Sequence, residues 1–345
     1  MSLSQKNIKK NTLTKERLVS IDIAKAICII LVVIGHYQPD NAPEWYNTII
    51  RIIYSFHMPL FMFVSGYVYW ATKKADSYGS FVWKKFRRLM IPYFFASMII
   101  ITIKMAMERG MYVENPVTFS AFYEMFYMPS AGFFLWFAYA LFLMFLIIPF
   151  FNTPKKLLVL LAGALLLFFL PFELPDVLCL PQFKLNLIYF VLGCALFEWK
   201  KLRRTFVNIH LLIVLALFAG FLLIKETGII ESEGIIAAII FITALLGIGV
   251  ISGLSQIIEK KSQALSSFFV SLSIYTYTIY LFHTTFEGFT KAVFLKFSFV
   301  RFFGEEITFV LSCLVIISAG VILPILLHKI IVRYSRFFSF LIGAK

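Results

Sequence analysis

Three of the five histidines lie in long apolar runs where ionisable groups are costly. His36 closes DIAKAICIILVVIGH, residues Asp22–His36. His57 lies in YSFHMPLFMFVSGY (Tyr54–Tyr67), and His283 in YTIYLFHTTFE (Tyr277–Glu287). Imidazole titrates near neutral pH and can take a proton from a hydroxyl, so embedded histidines suggest proton handling, general-base catalysis or metal binding. No HExxH or close carboxylate set accompanies them, which argues against a metal centre. Lys25 precedes His36 by eleven residues. At ~100° and ~1.5 Å per residue, the two share one helix face roughly 16 Å apart. Asp22 stands at i, i+3 to Lys25, where the two can pair. The plainer reading is an interfacial ion pair and a histidine marking the exit into water. His57 at a similar depth, followed by Pro59, weakens it, since proline can free a helix carbonyl. Ser65 and Gly66 permit close helix approach. His210 and His328 fall at inner helix ends, where interfacial solvation explains them.

These residues must be positioned by membrane spans. The 345-residue chain is 61% hydrophobic and 14% charged, with a mean hydropathy of +0.88. That is more apolar residue than a soluble core requires. No short alternating strands suggest a barrel. The expected fold class is an all-α polytopic membrane protein of about ten transmembrane helices, near 18–38, 49–72, 89–107, 131–150, 157–170, 185–199, 209–225, 234–255, 266–287 and 307–328. Pro171, Pro175 and Pro181 interrupt the fifth and sixth, so nine spans are also compatible. The net charge of +14 would suggest nucleic acid in a soluble protein. Here the basic residues gather in alternate loops, such as Lys73–Arg88, Lys200–Arg204 and Lys260–Lys261. The positive-inside pattern places both termini in the cytoplasm and leaves acidic outer loops, such as PDNAPEWYN and KETGIIESE. Lys291, Lys296 and Arg301 in the last outer loop run against it. The basic N-terminus lacks a small-residue cleavage site, so an uncleaved first span is expected. The four cysteines show no metal spacing. The expected organisation is a basic segment over 1–17, a transmembrane domain over 18–328 and a basic tail over 329–345.

The second constellation is SFVWKKFRRLMIPYFF, Ser80–Phe95, with Lys84, Lys85, Arg87 and Arg88 at the inner mouth of span three. Topology signalling or anionic lipid would explain it. A phosphate site is the sharper reading, since guanidinium matches phosphate oxygens.

Together these motifs resemble membrane acyltransferase family 3, particularly its sugar O-acetylase-like branch. A basic residue eleven before histidine appears as Lys25 and His36, with lysine replacing the usual arginine. FHMPLFMFVSG (Phe56–Gly66), KKFRRLMIPY (Lys84–Tyr93), LWFA (Leu135–Ala138, with Ala138 departing from the pattern) and YLFH (Tyr280–His283) follow in order. The resemblance implies a membrane-bound O-acyltransferase of the inner membrane. It would move an acyl group, usually acetyl, from cytoplasmic acyl-CoA to a hydroxyl of a cell-surface or lipid-linked glycan. Acetyl-CoA is then a co-substrate, with no permanently bound cofactor, no metal and no nucleic acid partner. Lys25, Lys84, Arg87 and Arg88 are implied donor contacts. His36 is implied as general base, or as carrier of a transient acyl group. His57 would orient His36 or stabilise the oxyanion. Asp22, Ser65, Trp136, Tyr139 and His283 are supporting residues. Many relatives carry a further periplasmic hydrolase-like domain. This sequence stops soon after span ten, so direct hand-over or a partner protein is expected. The alternative is a proton-coupled transporter or exporter, against which the lack of an internal repeat counts.

Overall fold

Proline, serine and threonine mark where the apolar runs become separate helices. Thr153 caps one helix, its side chain accepting from the Lys156 N–H (3.4 Å), with Pro154 at the first position. Ser262 and Ser335 cap two others through Leu265 and Phe338. The structure is a computed structural model describing residues 3–40, 42–108, 113, 115–199, 211–296 and 304–343, with side chains from residue 19 onward except 295 and 296. In order, the helices are α1 (Leu3–His36), α2 (Glu44–Tyr54), α3 (His57–Thr72), α4 (Tyr78–Met107), α5 (Ala121–Glu124), α6 (Trp136–Ile147), α7 (Pro154–Phe169), α8 (Leu180–Glu198), α9 (Leu211–Glu226), α10 (Glu233–Lys261), α11 (Gln263–Ser273), α12 (Thr276–Lys296), α13 (Glu305–Tyr334) and α14 (Arg336–Leu341). Among the described residues there is no strand.

The protein is an all-α polytopic membrane protein. Among the described residues, seven helical stretches are long and apolar enough to cross a membrane, or eight if α11 and α12 form one span bent by 74°. α2 and α3 act as one stretch, Glu44–Thr72. The expected segments 157–170 and 209–225 correspond to α7 and α9, each of 16 residues. Such helices are about 24 Å long, short of a ~30 Å hydrocarbon core. Every expected apolar segment therefore carries helix, but two are shorter than a full span. Lys200, Lys201, Arg203, Arg204, His210, Arg301 and Lys345 lie outside the described residues, as does the Lys296 side chain.

Helix α1 is central. It packs against α3, α10, α11, α12 and α13. The tightest crossing is between α3 and α8. A Cβ on Gly66 would lie 1.9 Å from the Phe190 carbonyl oxygen, and one on Gly193 1.9 Å from that of Phe63. Without a hydrophobic driving force between helices in lipid, such close backbone approach supplies the dispersion contacts that hold them together. Cys194 Sγ donates to the Gly66 carbonyl (3.3 Å), and Trp70 Nε1 donates to Glu198 Oε2 (2.7 Å) along the same interface.

Gly66→Ala is expected to force α3 and α8 apart. It should destabilise the protein by about 1–3 kcal/mol, as overpacked cores do. Thermal unfolding of purified protein checks this, and an unchanged midpoint would contradict the assigned crossing.

Candidate active site

One cavity of about 1710 Å³ runs through the bundle between α1, α3, α4, α6 and α12. Asp22, Lys25, Lys85 and Arg88 line one end. His36, His57, Ser65 and Trp136 line it further along, and Gln38, Tyr54 and Glu287 line it beyond them. The volume exceeds the usual range of small-ligand pockets and suits an extended ligand or two ligands together.

Spacing on α1 has the expected result. Lys25 Nζ lies 3.1 Å from Asp22 Oδ1, both about one-third exposed, and both share the cavity face with His36. His36 ends the helix. The carbonyl of Gly35 accepts from Gln38 Nε2 (2.6 Å) and from the Tyr54 hydroxyl (3.2 Å), so the helix terminus beside His36 is held by side chains rather than left to lipid. His57 is the first residue of α3, after the break from α2 at Ser55–Phe56. Pro59 sits in the first turn, where a missing N–H is tolerated. His57 Nδ1 lies 2.9 Å from the Ile53 carbonyl, an acceptor, so Nδ1 holds the proton of the neutral ring and Nε2 keeps its lone pair. Cys28 Sγ donates to the His57 carbonyl (3.1 Å), pinning this break to α1.

His283 is fully buried behind the cavity wall. Its ring centroid lies 5.0 Å from that of His36 and 5.2 Å from that of Phe134. Nδ1 donates to the carbonyls of Ile279 (3.0 Å) and Tyr280 (2.9 Å), which leaves Nε2 without a partner among the described residues. Its ring packs against that of His36 from behind the wall. Glu287, one turn later on α12, does face the cavity. Its Oε1 is buried with no hydrogen-bond partner among the described residues, in space that a Cβ on Gly320 of α13 would fill (2.8 Å). Sequence reasoning missed Glu287, although it closes the same phrase, YTIYLFHTTFE, that carries His283.

The four cations of α4 divide by face. Lys85 and Arg88, at i, i+3, line the cavity. Lys84 turns away to pair with Asp76 (2.7 Å), and the Arg87 guanidinium lies 5.1 Å over the Phe340 ring of α14. The structure thus brings Lys25 and Arg88 together and leaves Lys84 and Arg87 outside. Tyr139 is also outside the cavity, its hydroxyl donating to the Phe126 carbonyl. His328, expected at a solvated helix end, is instead buried, 2.8 Å from the Thr278 hydroxyl. Two motifs meet directly: the Tyr280 hydroxyl accepts from the Ala138 N–H in the first turn of α6 (3.2 Å). That N–H has no partner within its own helix, which gives a physical reason for LWFA and YLFH to occur in one chain.

A multi-pass helical membrane protein with an internal cavity, cations at one end and imidazoles further along, is the class these features define. The family model described as an acyltransferase domain, acyltransferase family 3, matches residues 18–329, and the chain belongs to that family. It is a multi-pass membrane protein that carries an acyltransferase domain over most of its length. Among curated proteins it is similar to the nodulation protein NolL of Sinorhizobium fredii, 32% identical over 184 residues, 51% of this chain and 48% of that one. It is also similar to the nodulation protein NolL of Mesorhizobium japonicum, 38% identical over 99 residues, 27% of this chain and 26% of that one. The matched stretches thus span about half and about a quarter of those relatives. No solved structure matches the chain.

Glu287→Gln keeps the side-chain volume and removes the ionisable carboxyl. The variant is expected to unfold within about 4 °C of the parent and to lose about 10²-fold of acyl transfer, the scale of a removed proton-handling group. Parallel unfolding and turnover measurements check this. Full turnover would leave the carboxyl as packing alone.

Proposed function

We propose that this protein moves an acyl group, acetyl first among them, from cytoplasmic acyl-CoA to a hydroxyl of a cell-surface or lipid-linked glycan at the inner membrane. The observation that carries the reading is one continuous cavity with Lys25, Lys85 and Arg88 at one end and His36 further along, on the same face of α1 as Lys25. CoA is polyanionic, and arginine and lysine at a narrow mouth suit its phosphates. Its pantetheine arm would then follow the α1 face over the roughly 16 Å between Lys25 and His36.

In this reading the acceptor hydroxyl reaches His36 from the far end of the cavity. His36 takes the hydroxyl proton as the acceptor oxygen attacks the thioester carbonyl. The C–O bond forms, the C–S bond breaks, and the CoA sulfur leaves with the proton that His36 held. His57 donates to the developing oxyanion when its Nε2 is protonated, or else orients His36. A transient acyl group on His36, released to the same hydroxyl, balances equally well.

Purified protein with labelled acetyl-CoA tests the reading. His36→Ala is expected to fold, and to reduce CoA release and label transfer by about 10²-fold or more. Undiminished transfer would end the assignment of His36. Movement of a solute without CoA release would support a proton-coupled transporter instead. A second comparison tests the donor end. Lys85→Gln and Arg88→Gln are expected to raise the acyl-CoA KM about tenfold, the loss of one charge-assisted contact. Lys84→Gln and Arg87→Gln should leave it within about twofold. Equal effects from all four would show that the loop acts only through overall charge.

A further inference from the structure

A cluster of uncharged polar groups at the bend between α11 and α12 has no part in the transfer step described above. Ser273, Thr276, Thr278 and His328 all line the cavity there. His328 belongs to α13, an apolar helix long enough to span, and is buried. An ionisable side chain inside a span is costly and marks a functional position. His328 Nδ1 lies 2.8 Å from the Thr278 hydroxyl. Thr278 is buried as well, and a buried hydroxyl needs an acceptor for its proton. Nδ1 is that acceptor, so Nε2 carries the proton of the neutral ring. The Tyr275 ring, edge-on with its centroid 4.9 Å away, braces the imidazole. Nε2 has no hydrogen-bond partner among the described residues, and unlike His283 Nε2 it is not sealed off by protein. It is an N–H donor open to the cavity.

Acceptors share this stretch of the lining. Thr276 gives its hydroxyl proton to the Ser273 carbonyl (2.8 Å), and Ser273 gives its own to the Val270 carbonyl (2.8 Å). The lone pairs of both hydroxyls are left to accept. A neutral donor among acceptors suits an amide, which presents a carbonyl oxygen and an N–H together. It suits a phosphate poorly, since a phosphate only accepts.

Depth narrows the choice of amide. Thr278 precedes His283 by five residues on α12, about 7.5 Å towards the cationic end. His283 packs against His36, so the Thr278–His328 pair lies between the level of His36 and the cations. The adjacent Tyr277 hydroxyl donates to the carbonyl of Leu89, the neighbour of Arg88 (2.7 Å). An extended chain advances about 1.2 Å per bond, which puts the two amide nitrogens of a pantetheine arm about 4 and 8 Å from its sulfur. We infer that His328 Nε2 and the Thr276 hydroxyl hold an amide of the donor's pantetheine arm and so register the thioester against His36. The inference rests on the acyl-CoA reading and adds a subsite between the phosphates and the sulfur.

The protein in phosphatidylcholine nanodiscs is titrated by calorimetry with two probes. One is a thioether analogue of acetyl-CoA; the other is the same molecule with an alkyl chain of equal length replacing the amide-bearing arm. The readout is the ratio of the two affinities. His328→Leu is expected to lower that ratio about tenfold, through the amide-bearing probe alone, as one hydrogen bond is lost and its partner left unpaired. His328→Gln keeps a side-chain N–H and should retain most of the ratio. Thr276→Val, of nearly the same shape, should lower it too, and it decides the matter if the leucine variant does not fold. A ratio unchanged in His328→Leu or in Thr276→Val would overturn the inference. Equal losses for both probes would place His328 at the nucleotide or in packing alone and overturn it too. So would a glutamine variant as impaired as the leucine one. In each of these results the acyl-CoA reading stands, because the wild type still binds the analogue. If the wild type binds neither probe, that reading fails and the subsite with it.

Discussion

An ionisable side chain inside a lipid-facing bundle needs either a partner or water-accessible space, because hydrocarbon offers it neither. Asp22, Lys25, His36, His57 and Glu287 all lie on otherwise apolar helices, and all face one internal cavity. The arrangement of the helices around α1 follows from that demand. A bundle packed without the cavity would leave these groups in lipid or in a dry core, at several kcal/mol each.

The same demand covers the backbone. Non-helical segments at membrane depth are tolerated where protein or a cavity can satisfy them. The break between α2 and α3 is met by Cys28 and by His57 Nδ1. The bend between α11 and α12 lies on the cavity wall, where Ser273, Ile274 and Thr276 line it. Tyrosine hydroxyls tie the walls together: Tyr277 donates to the Leu89 carbonyl (2.7 Å) and Tyr93 to that of Met125 (2.9 Å). Each hydroxyl ends an aromatic side chain that fills apolar space, so one residue serves both packing and hydrogen bonding. The cavity thus keeps its shape without losing its polar groups to lipid.

Much of this was legible in the sequence, and for identifiable reasons. Hydropathy located every apolar helix, because a run of about twenty apolar residues has few other uses. The Asp22–Lys25–His36 stripe was legible because all three share one helix, where spacing fixes the face. Facing across helices was not legible. Lys84, Lys85, Arg87 and Arg88 look alike in a row, and only the rotation of α4 against α6 and α14 sends Lys85 and Arg88 inward and Arg87 onto Phe340. His283 looked equivalent to His36 and His57, but the rotation of α12 puts it behind the wall and Glu287 on it. Tyr139 resembled a lining residue from its place beside Trp136, and its hydroxyl is used by the backbone of the preceding loop instead.

Membership of acyltransferase family 3 and the geometry of the cavity support the proposal that donor and acceptor enter the same space from opposite ends and react beside His36. A density map of the protein bound to a thioether analogue of acetyl-CoA tests it most directly. The account predicts the nucleotide phosphates beside Lys85 and Arg88 and the acyl end within contact of His36. An analogue bound outside the cavity, or inside it with its acyl end pointing away from His36, would contradict it.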